Sequence, residues 1–324
     1  MDVPKAWKMI EKKPVKEDMH SRRIIPFARG REAFGWFLRQ AGASRGDLIL
    51  MPAYIGWSQR EGSGVFDPIR GLGLDPVFYR MDQDLHIDLA DFKAKLSRFQ
   101  LRFALIIHYF GFVDDSYDEL FSCLRNRGVI SIEDSAHALL TDLVESGCGL
   151  WGDASIFSLH KILPVETGGM LAISCSSPAY RAINSRNMES GLSFNPWEYN
   201  LSEISRRRRR NYEYLINRLA EIDRWIKPLR PRLKSVEIPQ SLPVTIQSVS
   251  RDDLYHKMND MGFGVTSLYH TLITEVDKSV FAVEAALSRS IMNLPIHQDV
   301  TIEEIDKMLL ALKASLDIGG VKDD

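Results

Sequence analysis

Apolar runs and amphipathic segments take turns along the chain from about Gly30 to Ser174, and each spacing predicts its own element. Between Arg31 and Gln40, the residues Ala33, Phe34, Trp36, Phe37 and Leu38 form one broad apolar face, which predicts a helix that Gly42 can close. Asp47 to Tyr54 is a short, nearly continuous apolar run of the kind expected for a strand buried on both faces, and Pro76 to Met81 and Phe103 to Phe110 repeat it. Ser116 to Arg127 is expected to be a helix opened by a capping box of Ser116 and Glu119. Strands at Val129 to Glu133, Ala154 to Ser158 and Gly169 to Ser174 complete this half. The alternation predicts an α/β fold with a mostly parallel sheet covered by helices on both faces.

Beyond Ser176 the pattern changes. Glu203 to Ile226 reads as one long helix, and Pro228, Pro231, Pro239 and Pro243 break up the stretch after it. A strand is expected at Val244 to Val249, a helix at Asp252 to Met261, and a last helix from Thr301, where Thr301 and Glu304 form a second capping box. Ile302, Ile305, Leu309 and Leu312 give that helix one apolar stripe. No internal repeat or low-complexity linker is visible, so a large domain over residues 1–225 and a smaller α+β domain over 226–324 are expected to pack firmly together. The run Arg206 to Arg210 is expected to be the solvated face of a helix whose apolar side carries Ile204, Tyr212, Leu215, Ile216 and Leu219. The alternative is an arginine that reaches a diphosphate in the same or a neighbouring subunit.

Composition narrows the class of partner. A chain of 324 residues, 45% hydrophobic, can bury one large core and a second smaller one. Lys plus Arg at 41 against Asp plus Glu at 43 leaves no basic field for nucleic acid or an acidic membrane, which points to a small molecule or a second copy of the chain. Cys123, Cys148 and Cys175 lack metal-site spacing and fit a reduced compartment. The segment bearing Lys5, Lys8, Lys12, Lys13 and Lys16 has no signal-peptide core, and Phe103 to Val113 is far too short to span a bilayer. The expectation is a soluble, cytoplasmic protein without a metal.

Lys161 comes after the strand segment Phe157-Ser158 and precedes Gly168-Gly169. A lysine at a strand end can point into a crevice, where partial burial beside cations frees its amine to attack an aldehyde; the same placement suits a surface lysine beside a turn. Asp134 stands at the carboxyl end of a strand, in Ile132-Glu133-Asp134-Ser135-Ala136-His137, where open parallel sheets hold their ligands. There it can pair with the protonated ring nitrogen of pyridoxal phosphate, or else cap a helix. Gly30 and Arg31 open a helix whose free N–H groups can bind a phosphate. Trp57, close after a strand, is a candidate to lie on a cofactor ring, with a place in the core as the alternative.

These blocks occur in one order along most of the chain, and in that order the sequence resembles the DegT/StrS-type sugar aminotransferases, fold-type I pyridoxal-phosphate enzymes. The resemblance runs from Gly30-Arg31-Glu32-Ala33 through Met51-Pro52-Ala53-Tyr54, His108-Tyr109-Phe110-Gly111, Glu133 to His137, Gly152-Asp153-Ala154 and Phe157-Ser158 to Lys161 and Gly168-Gly169, and continues at Asn293-Leu294-Pro295-Ile296-His297. It implies that Lys161 holds the cofactor as a Schiff base, that Asp134 partners the ring nitrogen, and that His137 lies near the ring hydroxyl where relatives often have glutamine. It further implies phosphate contacts from the backbone at Gly30 and Arg31 and from the Ser158 hydroxyl, Trp57 against the ring, and a homodimer with active sites at its interface. Asn200 is placed to take the role of a family asparagine that approaches the neighbouring site.

The implied activity is transfer of an amino group from a donor such as glutamate to a keto sugar carried on a nucleotide, in polysaccharide or deoxyamino-sugar biosynthesis. The alternatives are a sugar dehydratase of the same family, in which histidine can replace the lysine and His160 would be the candidate, and a non-catalytic binding protein on the same scaffold.

Overall fold

An apolar run long enough for one strand and polar on neither face must be covered on both, and Leu101–Ile107, an interior strand of the large sheet, meets that requirement from Phe103 onward. Phe103, Ala104, Leu105 and Ile106 have essentially no exposed surface. The computed structural model describes residues 22–180 and 195–316. Its first half runs β1 (Arg22–Phe27), α1 (Gly30–Gln40), β2 (Leu48–Pro52), α2 (Phe66–Leu72), β3 (Asp75–Tyr79), α3 (Leu89–Arg98), β4 (Leu101–Ile107), α4 (Tyr117–Asn126), β5 (Ile130–Asp134), α5 (Leu139–Leu143), β6 (Ala154–Ser158) and β7 (Gly169–Ser174).

These strands form one seven-stranded sheet in the order β1-β7-β6-β5-β4-β2-β3. The run from β6 to β3 is parallel, while β7 is antiparallel to both β6 and β1. The expected α/β class and mostly parallel sheet are therefore found. The edge strand β1 escaped the sequence reading because Arg22 and Arg23 interrupt its alternation; β7 pairs with it over its whole length.

The second half runs α6 (Leu201–Leu219), β8 (Ile226–Pro228), β9 (Leu242–Ile246), α7 (Arg251–Asp260), α8 (Ala282–Ser290), β10 (Ile291–Leu294) and α9 (Ile302–Ser315). The three strands make a small antiparallel sheet in the order β10-β9-β8. The long helix expected to reach Ile226 ends at Leu219, and the chain passes through a short 3-10 turn into β8.

The two expected capping boxes fared differently. Thr301 and Glu304 form theirs, each side chain bonded to the other's backbone N–H at 3.2 and 2.8 Å. Ser116 does not cap α4: its hydroxyl donates to Asp114 at 2.6 Å, while Glu119 pairs with Lys93. Asp114, already accepting the N–H groups of Ile87 and Ser116, outcompetes the helix end for that hydroxyl.

Arg206 and Arg207 behave as expected, paired with Glu203 on the exposed face of α6. Arg208 does not. It is buried at 1% exposure and donates to Gln298 Oε1 at 2.9 Å, Gln240 O at 2.7 Å and Ile162 O at 3.4 Å. Burial pulls its guanidinium down to about 10. Arg209 binds the carbonyls of Ser235 and Glu237 at 2.6 and 3.0 Å. Arg208 and Arg209 thus tie α6 to the loops around it, and their donors go to protein acceptors.

Glu133, the penultimate residue of β5, is fully buried. Its carboxylate accepts from the N–H groups of Gly149, Trp151 and Gly152 at 2.7 to 2.8 Å and meets His108 Nε2 at 2.8 Å, while His108 Nδ1 meets the Tyr117 hydroxyl at 2.7 Å. Burial pushes this carboxyl up, but His108 and the backbone donors outweigh it and hold it below the usual range. Glu133→Gln puts an amide donor where only acceptors fit, and the expected cost is about 3 kcal/mol. Because the folded pKa is depressed, the stabilisation is present above the ordinary carboxylate range and is lost as pH falls through the folded value. Urea unfolding is therefore expected to show a gap between wild type and variant at neutral pH that narrows on acidification.

Candidate active site

Three features meet at the carboxyl ends of β5 and β6: a buried carboxylate, a lysine on a short turn, and the open end of a helix. Glycines make the meeting possible. A Cβ on Gly30 would stand 2.5 Å from Ser158 Oγ, and one on Gly169 would stand 2.2 Å from the backbone carbon of Arg29, so the start of α1 lies directly on β6 and β7. Arg29 offers no side-chain cap, which leaves the first N–H groups of α1 to a ligand or water. These groups and the Ser158 hydroxyl face a cavity of about 300 Å³ that Asp134 and Lys161 also line.

Lys161 sits on the 3-10 turn Leu159–Lys161 that follows β6. Its Nζ lies 3.0 Å from His137 Nε2. Burial lowers the amine's pKa below the usual range, and Asp134 and Glu61 pull it back up. Asp134 ends β5 and accepts the N–H of Ala136 at 2.9 Å, so it makes a tight local turn and caps no helix; α5 begins only at Leu139. Burial raises the Asp134 carboxyl above its ordinary value, against the opposing pull of Lys161. Burial and then Lys161 keep the His137 imidazole well below its usual pKa, and Phe110 stacks on it with centroids 5.7 Å apart at 21°. His160, the alternative to Lys161, also borders the cavity but is exposed.

The donor set suits pyridoxal phosphate. An uncapped helix end with a hydroxyl beside it fits a phosphate, a buried carboxylate needs a cation such as a protonated ring nitrogen, and a desolvated amine is the group that captures an aldehyde.

Not every residue singled out from sequence arrives here. Trp57 is 41% exposed, held by its N–H to Thr271 O at 2.9 Å beside a bridge between Gly56 and Leu272, and does not line the cavity. Asn200 caps α6 by accepting the N–H of Glu203 at 3.1 Å. Arg31 does border the cavity, with its guanidinium on Glu61 O at 2.8 Å and 3.7 Å from Asp67. Sequence reasoning missed Glu61, Gly64, Glu166 and Thr167 on the cavity wall, and Tyr269, whose ring meets His137 at 5.9 Å. Glu166 and Thr167 directly precede Gly168-Gly169, so the loop was in view; the others lie in segments without periodicity.

A comparison with known families gives one decisive match: the model of the DegT/DnrJ/EryC1/StrS aminotransferase family covers residues 12–188, more than half of the chain. The chain belongs to that family. Like other DegT/DnrJ/EryC1/StrS members it is a pyridoxal-phosphate-dependent aminotransferase, and its relatives place it among the sugar aminotransferases. It is similar to the dTDP-4-dehydro-2,3,6-trideoxy-D-glucose 4-aminotransferase of Saccharopolyspora spinosa, with 24% identity over 73% of this chain and 71% of the relative. It is similar also to the 3-oxo-glucose-6-phosphate:glutamate aminotransferase of Bacillus subtilis, at 24% identity over 91% and 72%. Its fold matches that of NtdA from Bacillus subtilis, solved with bound PMP, at a TM-score of 0.72 with 19% identity over 91% of this chain and 74% of the other. Among the described residues no helix is long and apolar enough to cross a membrane.

Proposed function

We propose that this sugar aminotransferase uses Lys161, Asp134, His137 and Ser158, with the helix end at Gly30 and Arg31, to move an amino group from an amino acid such as glutamate to a keto sugar carried on a nucleotide. The observation that carries the reading is the desolvated Lys161 amine, 3.0 Å from a neutral imidazole and facing Asp134 in a cavity that ends at an uncapped helix. When bound, pyridoxal phosphate supplies an aldehyde and a ring that accepts electrons. The α1 N–H groups and Ser158 anchor the phosphate, and Asp134 keeps the ring nitrogen protonated. Lys161 Nζ, once free, is placed to carry a proton away from the α-carbon of the donor amino acid and to return one in the second half-reaction.

One relative's name specifies a dTDP-linked keto sugar and the other's a keto sugar phosphate. Arg29 and Arg31 at the cavity wall supply positive charge for either. The reading extends to polysaccharide or deoxyamino-sugar biosynthesis in the cytoplasm, and to a homodimer whose neighbour completes the open side of the site.

Glutamate added alone is expected to convert the bound cofactor to the pyridoxamine form, and a panel of keto sugars as dTDP, UDP and monophosphate derivatives is expected to give an aminated nucleotide sugar by mass spectrometry. Amination of the monophosphates alone would reject the nucleotide carrier. A sedimenting species of one chain, active at high dilution, would reject the dimer.

A further inference from the structure

The hydrogen bond between Lys161 and His137 has a direction, and a neighbouring backbone group decides it. The N–H of Phe110 points at His137 Nδ1, with 3.4 Å between the nitrogens. A backbone amide is always a donor, so Nδ1 presents its lone pair. A neutral imidazole carries one ring proton, which is then on Nε2, the atom 3.0 Å from Lys161 Nζ. An ammonium has no lone pair to accept that proton; an amine has one.

We propose that His137 is a positioning residue locked as its Nε2–H tautomer, which donates to Lys161 Nζ and so holds the lysine as a free amine. The inference rests on Lys161 being the reactive amine of the proposed function, but it concerns the chain before cofactor or sugar binds.

The surroundings fit. The turn that presents the Phe110 N–H holds that residue at φ +56, a left-handed conformation that bulky side chains rarely adopt and that costs roughly 1–2 kcal/mol. Stacking of Phe110 on one side and the edge of Tyr269 on another fix the ring's plane. Among the described residues, Asp134 and Glu61 favour an ammonium at Lys161 and Arg31 disfavours it, while the adjacent His160 is itself held below its usual value by burial and then by Lys161. Tyr109 is buried and Tyr269 partly buried, and both are neutral, with hydroxyls held well above the usual range chiefly by burial. A glutamine in the place of His137 could turn its carbonyl toward Lys161 and accept from an ammonium, a choice the locked imidazole lacks.

The test uses the full chain cleared of cofactor. Long-range proton–nitrogen correlation on the 15N-labelled protein is expected to show His137 protonated at Nε2 and bare at Nδ1 between about pH 6 and 9, around and above the ordinary imidazole value. Competitive acetylation, read by mass spectrometry on the Lys161 peptide, is expected to give a titration midpoint that rises by about one pH unit in His137→Gln, a tenfold loss of free amine below it. A proton on Nδ1, or an unchanged Lys161 midpoint in a folded His137→Gln, overturns the proposal. Should that variant fail to fold, the tautomer measurement on the wild type still decides. Failure here with intact glutamate and sugar assays would leave the proposed function standing, and the reverse outcome would separate the two in the other direction.

Discussion

Lys161→Ala is expected to lower turnover by at least about a thousandfold, because a positioned general base alone contributes roughly 10²–10⁴ and the covalent hold on the cofactor disappears with it. Among the described residues, no side chain nearby can replace both tasks. His137 is buried, neutral and turned toward Lys161 itself, and His160 lies at the exposed edge of the cavity. The variant is expected to keep binding cofactor through Asp134, Ser158 and the N–H groups at the start of α1, but to release it on denaturation without a covalent adduct. Borohydride treatment of the wild type should fix the cofactor to the peptide that contains Lys161. Labelling of another lysine, or near-normal transamination by Lys161→Ala, would sink the assignment of this residue whatever the fold.

Asp134→Ala is expected to preserve the fold and cost about a hundredfold or more in turnover, the scale set by loss of one preorganised electrostatic partner. Near-wild-type turnover would remove Asp134 from the site. A second readout separates its charge from its shape. Asp134→Asn still accepts the N–H of Ala136 but carries no charge. Burial raises the Asp134 carboxyl above its ordinary value, so the fold disfavours the ionised form. The cost is absent at low pH, where the group is protonated folded and unfolded, and grows as pH rises through about 4 toward the raised value. Without cofactor, Asp134→Asn is therefore expected to melt at or above the wild-type temperature at neutral pH, with the difference vanishing on acidification. A variant that melts lower at neutral pH would show that the carboxylate stabilises the empty fold rather than waiting for a cation.

Much of the large sheet was legible because its strands are buried on both faces, and burial writes itself into sequence as apolar runs. Ala154–Ser158 and Gly169–Ser174 were read to the residue. The runs Asp47 to Tyr54 and Phe103 to Phe110 were read too long, since the apolar character persists into turns that the aromatics Tyr54, Tyr109 and Phe110 fill. Ser116 looked like a cap because its own helix gives no sign of Asp114, which accepts the hydroxyl's hydrogen bond. Arg208 sits in a run of five arginines whose members are indistinguishable in sequence; only the packing of three separate carbonyl oxygens around one position sets it apart. Of the candidate site, Lys161, Asp134, Ser158, Gly30 and Arg31 converge on one cavity with His137 behind the lysine, whereas Trp57, singled out by its distance along the chain from a strand end, is exposed and does not line that cavity.

Arg208 also bears on how this molecule could be rebuilt. Its guanidinium joins α6, the residue after Lys161, the approach to β9 and the loop before α9 at a single point. A chimera that exchanged the three-stranded sheet and its helices for those of a relative would have to supply Gln240 O and Gln298 Oε1, or their equivalents, at matching positions. Without them a buried cation would keep only the Ile162 carbonyl at 3.4 Å, one residue beyond the reactive lysine, and its other donors would be left unsatisfied, a defect of several kcal/mol. Swapping sugar preference by exchanging loops on the cavity wall leaves this joint untouched, so diversification within such a scaffold is easier by loops than by whole modules.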